Sequence, residues 1–318
     1  MTQIGHNLNI ASQLLVNGGL VAIPTETVYG LAANALNEKA LLSIFETKQR
    51  PSFDPLIMHL SDITEVEKYA HWNDARLKKL AEIFWPGPLT ILLPKKELVP
   101  DIVCSGLPQV ALRVPNHPLT LQLLKQLPFP LAAPSANPFG YISPTSAQHV
   151  KQQLGNMIPY ILDGGECTVG LESTIVGVED NELVVYRLGG LTLELIESHI
   201  GKLTIRLNQS GNPLAPGQLK SHYAPRKPLF IGSLKDNTKK FQNQKIGIIG
   251  FGDMKGFDNK ILMFNLSEKA DLKEAALNLF KHLRLADESE ADVILTDFLP
   301  AQGLGLAIND RLQRAAVK

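Results

Sequence analysis

Lys48 and Arg50 stand one residue apart in Lys-Gln-Arg-Pro, shortly after the stretch LVAIPTETVYGLAANAL and shortly before PLIMH. A lysine is a compact point charge and an arginine a planar fork. The pair therefore suits an oligophosphate, whose oxygens take both point-charge and bidentate partners. Two cations alone also fit an exposed basic turn, because charged side chains are mostly found in solvent, so the rest of the chain has to decide between the two.

Four further groups carry chemistry. In APSANPFGYISPT, Ser135 and Asn137 follow an apolar run, and Ser143 to Thr145 read as the start of a helix. Small hydroxyl and amide groups beside a helix N-terminus supply neutral donors to a phosphate or a carboxylate, although a capped turn needs the same residues. In LDGGECTVGLESTIVGV, glycines 164, 165 and 170 let backbone approach a ligand or simply turn, with Ser173 and Thr174 opening a strand. Arg113 in VALRVP and Arg187 in LVVYRLGG sit within or at the end of apolar runs. Burying a guanidinium unpaired is costly, so each calls for an anion, from the protein or from a ligand. His59 closes PLIMH and by itself also fits a satisfied core histidine. No histidine or cysteine pair has zinc-ligand spacing, and neither G-x-S-x-G nor Walker A occurs. Metal hydrolase, serine hydrolase and P-loop chemistry all lose ground.

These residues need strands and helices to hold them. Leu20 to Ile23 reads as a short buried strand that Pro24 ends, delivering Thr25, Glu26 and Thr27 to its end, where α/β proteins build their sites. Asn37 is a plausible N-cap for a helix over 38–48, which Pro51 stops, so that the two cations project from a helix end into a loop. Near-continuous apolar runs at 56–59, 89–93, 110–114, 131–133, 160–162, 174–178 and 183–186 predict further strands. Helices are expected at 75–84, 118–126, 144–154 and 193–200, the third starting from Ser143 and Pro144. The turn at Glu179 to Asn181 implies some antiparallel pairing. From Asn208 to Pro228 the pattern dissolves into Pro, Gly and polar residues, an interdomain linker. Beyond it, strands at 229–231, 246–249, 261–264 and 293–296 with helices at 272–286 and 306–315 make a small open α/β layer of Rossmann type. Gly250 and Gly252 start a G-x-G-x-x-G, but Lys255 holds the third position and no helix pattern comes after it, so the segment reads as a turn.

With 318 residues, 44% apolar and 19% charged, the chain fits a globular protein of two domains. Thirty-one basic and 31 acidic residues cancel, so no global field recruits nucleic acid or an anionic membrane, and any tRNA contact would be local. Cys104 and Cys167 are too few for a disulfide framework or a Cys-rich zinc site. No signal peptide or apolar run of membrane-spanning length is apparent, and a reducing cytoplasm is the expected setting.

Taken in order, PTETVYGLAANAL, K-x-R-P with PLIMH, FWPGPLTILL, VALRVPNHP, APSANPFGYISPT, DGG, GLESTIV, YRLGG and HYAP resemble the threonylcarbamoyl-AMP synthase family in its two-domain form. The resemblance implies a YrdC-like domain with a twisted mixed sheet and flanking helices over 1–205. A linker or lid over 206–228 and a small Rossmann-like domain over 229–318 would come next. It implies an enzyme that condenses L-threonine, bicarbonate or carbon dioxide, and ATP into L-threonylcarbamoyladenylate with release of pyrophosphate, Mg²⁺ entering with ATP. The product would feed the threonylcarbamoyl modification of the adenosine next to the anticodon in tRNAs reading codons that begin with A, the transfer being left to other proteins.

By matching position, Thr27, His59, Arg113, Ser135 and Ser173 would hold threonine. Lys48, Arg50, Asp54, Gln109, Asn137, Thr145 and Arg187 would contact ATP, together with His222 and Tyr223 of the linker, which would close as a lid. Lys48 and Arg50 would also stabilise charge on the transferring group. Asp54 and Gln109 depart from the family pattern, and a carboxylate beside phosphates needs Mg²⁺, a cation or the ribose. Two other functions compete. An RNA-binding YrdC-like module is disfavoured by net neutrality and few exposed-looking aromatics. A carbamoyl-transfer maturation factor of the hydrogenase type would need zinc modules that two cysteines cannot supply.

Overall fold

The structure, a computed structural model, describes residues 1–207 and 215–316. The first part of the chain carries strands β1 (Gln3–Gly5), β2 (Val21–Ile23), β3 (Gly30–Asn34), β4 (Ile57–His59), β5 (Leu89–Pro94), β6 (Gln109–Arg113), β7 (Leu131–Ala132), β8 (Tyr160–Leu162), β9 (Thr174–Glu179), β10 (Glu182–Arg187) and β11 (Thr204–Ile205). Its helices are α1 (Leu8–Val16), α2 (Glu38–Lys48), α3 (Val66–Tyr69), α4 (Ala75–Phe84), α5 (Asp101–Cys104), α6 (Pro118–Gln126), α7 (Ala147–Leu154) and α8 (Leu193–Ile200). The last part carries β12 (Leu229–Ile231), α9 (Leu234–Lys240), β13 (Ile246–Gly250), β14 (Leu262–Asn265), α10 (Leu272–Glu288), β15 (Val293–Thr296) and α11 (Leu304–Ala316).

Among the described residues the first eleven strands join into one mixed sheet in the order β1-β8-β2-β3-β7-β4-β6-β5-β9-β10-β11. The last four form a separate parallel sheet, β12-β15-β13-β14. Side-chain alternation splits the strands between two layers. In β2, Ala22 packs with Leu41 and Ile44 of α2, while Val21 and Ile23 face a second cluster with Ala11 and Leu15 of α1 and Leu123 and Leu124 of α6. Farther along the sheet, Ile57, Leu92, Ala111, Ile175, Val184 and Tyr186 form a third cluster with Ala215, from the segment before the C-terminal domain.

Several elements depart from expectation. Strand β1 and helix α1 precede the first expected element. Strand β3, Gly-Leu-Ala-Ala-Asn, has no β-branched or aromatic residue to signal it, and it exists because β2 and β7 flank it. Helix α7 begins at Ala147, capped by Ser146, whose side chain accepts from the His149 N–H. Ser143 and Pro144 lie outside it: the Ser143 hydroxyl donates to Glu172 at 2.7 Å and the Pro144 carbonyl accepts from the Tyr29 N–H at 2.9 Å. A tertiary use for the residues displaced the start signal. The turn between β9 and β10 is antiparallel as expected, with Asp180 and Asn181 both at positive φ (51° and 63°), the geometry that matches strand twist. After β13 the next strand is β14, so the Gly250–Gly252 stretch opens no helix.

Part of the expected linker, residues 208–214, lies outside the described residues. The segment from Ala215 onward is no exposed tether: Ala215, Gln218, His222 and Tyr223 are buried. The Gln218 amide donates to the Tyr186 carbonyl at 2.9 Å. No described helix is long and apolar enough to cross a membrane.

Candidate active site

One cavity gathers the chemistry. It lies where β4 and β6 end and β5 and β9 begin, since His59 pairs with Arg113 and Leu89 with Thr174. It encloses about 560 Å³ including its mouth. Of the expected residues, Thr27, Arg50, His59, Arg113, Ser135, Ser173, Arg187, His222 and Tyr223 line it, joined by Thr25, Glu172 and Gly217.

On one side, Arg113 is buried with its Nη1 donating to Thr27 Oγ1 at 2.9 Å and its Nη2 paired with Glu26 Oε1 at 2.7 Å. The anion that Arg113 requires is thus Glu26. The Thr25 hydroxyl shares a 2.7 Å hydrogen bond with that of Thr27 and donates to the Val28 carbonyl, which holds the loop after β2 in one shape. Ser173 Oγ and Thr90 Oγ1 are 2.7 Å apart. Fixed hydroxyls around a guanidinium are what an amino acid carboxylate and a hydroxyl side chain would meet.

His59 Nδ1 lies 3.2 Å from the Ile57 carbonyl oxygen. Burial, and then the charge of Arg113, push the His59 imidazole down to about 3, so it is neutral at pH 7. The folded value is lowered, so between pH 6.5 and about 3 the unfolded chain binds a proton that the folded chain refuses. Stability falls as the pH falls through that window, by up to about 1.4 kcal/mol per pH unit. In urea titrations between pH 7 and pH 5, His59→Asn is expected to lose less stability than wild type. An identical pH dependence would show that His59 is protonated in the fold.

On the other side, helix α2 ends at Gln49 in the left-handed region (φ 53°), and the Arg50 N–H reaches back to the Phe45 carbonyl at 2.9 Å. This closure turns the chain so that Lys48 and Arg50 both go inward. Neither is an exposed turn residue, at 1% and 8% exposure. Arg50 Nη2 pairs with Asp54 Oδ2 at 2.9 Å and also donates to the Pro55 carbonyl at 2.8 Å. Asp54 has therefore found its cation in Arg50. Burial raises the Asp54 carboxyl above its ordinary value, with Arg50 the largest opposing charge.

Lys48 Nζ donates to the Ser135 carbonyl at 2.6 Å and to that of Asn137. Burial, then Arg50, hold its ammonium well below the usual lysine value. It sits behind the Ser135 wall, outside the cavity lining. Arg187 differs from Arg113: Nε and Nη2 donate to Ser173 O and Oγ, both at 2.9 Å, and Nη1 to the Pro216 carbonyl at 3.1 Å. Among the described residues no carboxylate is hydrogen-bonded to it, although the charge of Glu172 favours its protonated form. Burial pushes its guanidinium down to about 10, still charged at neutral pH.

Asp54, Asn137, Thr145 and Gln109 also lie outside the lining. The Asn137 amide donates to the Pro138 and Tyr141 carbonyls at 2.8 Å and shapes the loop after β7. The Thr145 hydroxyl is 3.3 Å from His149 Nδ1. Gln109 opens β6 opposite Pro94, four residues before Arg113, on the order of 13 Å along the strand. Over the cavity, His222 and Tyr223 stack edge to face at 4.1 Å. Gly217 has φ +78°, and a Cβ there would lie 3.1 Å from Arg187 Nη1. Burial, then Arg50 and Lys48, keep His222 well below the ordinary histidine value and therefore neutral.

No three His, Cys, Asp or Glu side chains among the described residues form a metal cage. The carboxylates near the cavity are engaged, Asp54 by Arg50, Glu26 by Arg113 and Glu172 by Arg311.

Comparison with known proteins gives the family. Residues 13–189 match a family described as "Telomere recombination", which covers the Sua5, YciO and YrdC proteins, and residues 191–317 match the "Threonylcarbamoyl-AMP synthase, C-terminal domain". The threonylcarbamoyl-AMP synthase of Pyrococcus abyssi is 40% identical over 97% of this chain and 94% of its own length. That of Bacillus subtilis is 39% identical over 96% and 92%. The crystal structure of P. abyssi Sua5 complexed with L-threonine superposes with a TM-score of 0.91 at 39% identity, covering 99% of this chain and 97% of that one. The chain belongs to the threonylcarbamoyl-AMP synthase family in its two-domain form, a YrdC-like domain followed by the family's own C-terminal domain.

Proposed function

We propose that the chain makes L-threonylcarbamoyladenylate from L-threonine, bicarbonate or carbon dioxide, and ATP, releasing pyrophosphate, for the threonylcarbamoyl modification of tRNA. The observation that carries the reading is one buried cavity in which Arg50, Arg113 and Arg187 converge with Thr27, Ser135 and Ser173 under a cover of His222 and Tyr223.

Threonine's carboxylate would lie against Arg113, and its hydroxyl among Thr27, Ser173 and the neutral His59. Its deprotonated amine attacks carbon dioxide, forming the N–C bond of a carbamate and giving up one proton. A carbamate oxygen then attacks the α-phosphorus of ATP, and the bond to pyrophosphate breaks. Arg50 and Arg187 would neutralise the phosphates, with Lys48 fixing the Ser135 and Asn137 carbonyls behind them. No covalent enzyme intermediate is required. Holding the two reactants in line and excluding water carry the catalysis, since the carbamate and the mixed anhydride both decompose in water.

Pyrophosphate release measured with threonine and bicarbonate together, then with each withheld, tests the reaction. Dependence on both is expected, and release without threonine would overturn the reading. Replacing Arg113 by alanine should weaken threonine binding by at least roughly tenfold in titration calorimetry, the scale of a charge-assisted hydrogen bond. Unchanged affinity would remove Arg113 from the threonine site.

A further inference from the structure

Through helix α11 the C-terminal domain touches two residues that line the cavity, Glu172 and Tyr223. Arg311 on α11 is fully buried, and its Nε meets Glu172 Oε2 at 3.1 Å. Its Nη1 donates to the Leu188 carbonyl at 2.6 Å and to Asp310 Oδ2 at 3.0 Å, and its guanidinium carbon lies 5.4 Å from the centre of the Tyr223 ring. Glu172 is 7% exposed, lines the cavity and precedes Ser173. Its other carboxylate oxygen accepts from the Ser143 hydroxyl at 2.7 Å. Asp310 is held in turn by Arg314, whose Nη1 donates to the Leu219 carbonyl at 2.6 Å. The Arg314 carbonyl accepts from the His222 N–H at 3.2 Å.

Two carboxylates and two guanidiniums make this cluster neutral, and one of the carboxylates faces a cavity otherwise lined with cations. We propose that Arg311 is a positioning residue for nucleotide binding: by pairing with Glu172 it cancels a negative charge in the cavity wall that would oppose a triphosphate, and it fixes the Tyr223 ring over the same space. The inference rests on the cavity being the ATP and threonine site. Tyr223 occupies the left-handed region (φ 63°), which strains a non-glycine residue and needs surroundings that impose it. Arg311 and Phe280, whose ring lies 5.4 Å from that of Tyr223, both come from the C-terminal domain. The domain's role in the reaction is then electrostatic as well as architectural.

The test uses the full chain and four variants: Arg311→Met, Arg311→Lys, Glu172→Gln and the double Arg311→Met/Glu172→Gln. Affinity for ATP with Mg²⁺ is read by calorimetry, and the KM for ATP and for threonine by pyrophosphate release. Arg311→Met is expected to weaken ATP binding about tenfold or more while the threonine KM changes less than about threefold, because a buried unpaired charge acts most strongly on the charged ligand. Removing the charge of Glu172 in the same chain should return ATP affinity to within about threefold of wild type, and Arg311→Lys should fall between. A purely structural link between domains predicts no rescue by Glu172→Gln and equal losses for both substrates, and either result overturns the proposal. If Arg311→Met does not fold, Arg311→Lys with and without Glu172→Gln poses the same question. Absence of threonine-dependent pyrophosphate release in wild type would count against the reaction itself. Calorimetry with ATP reads Arg311 independently of it.

Discussion

Replacing Arg50 by alanine is expected to lower pyrophosphate formation by roughly two orders of magnitude, the scale of losing one charge-stabilising donor at a reacting centre. The fork lies in the cavity wall, anchored by Asp54 at 2.9 Å and by the Pro55 carbonyl at 2.8 Å. It is thus preorganised and needs no rearrangement as charge shifts toward pyrophosphate. The substitution has a second consequence. Asp54 is fully buried and would lose its partner, and breaking a buried pair from one side costs about 3–5 kcal/mol of stability. Folding and chemistry are separable with Arg50→Ala/Asp54→Asn, which should recover much of the stability in a urea titration and little of the activity. Turnover at the wild-type rate in Arg50→Ala would remove Arg50 from the reaction.

Ending the chain after Ile205 is expected to leave a folded first domain with synthesis impaired by roughly a hundredfold or more, the scale of lost positioning. All eleven strands of the large sheet precede that point. The upper half of the site would be lost. His222 and Tyr223 would go, together with the Pro216 carbonyl on Arg187 and the Arg311 partner of Glu172. Gly170 would lose the backbone of α10: a Cβ there would stand 2.5 Å from the Leu277 Cα, so the domains touch as closely as main chain allows. The Tyr141 hydroxyl, 2.6 Å from Asp287, and the Ile142 carbonyl, 3.1 Å from Arg284 Nη2, would return to solvent. Circular dichroism and the pyrophosphate assay on the truncated chain check both halves of the expectation. Full activity would mean that the covering segment and the C-terminal domain serve something other than synthesis.

Some of the site is readable in the residues themselves. An arginine inside VALRVP announces a paired guanidinium because burial without an anion is too costly, and the structure pairs it with Glu26. Arg311 carries a similar signal, which the order of motifs alone does not pick out. In α11 it shares the buried stripe of Ile308, Leu312 and Ala315, so an amphipathic reading places a charge on the apolar face, where it must have a partner. Glu172 gives no such sign, since a glutamate in a loop is ordinary until a guanidinium arrives beside it. Ser143 misleads for a related reason: a serine before a proline is a good cap, and only the presence of Glu172 at 2.7 Å shows that its hydroxyl is engaged elsewhere.

The order of motifs, the apolar periodicity of strands and helices, and the family all came from the residues, because each depends on local spacing and residue type. Which charges meet was decided by the fold. Arg50 finds Asp54 within one turn of chain, but Arg113 and Glu26 are 87 residues apart and Arg311 and Glu172 139. No local rule spans such separations; the pairings exist because the strand order and the return of the C-terminal helices close the chain over one cavity, where low dielectric makes every unpaired charge costly.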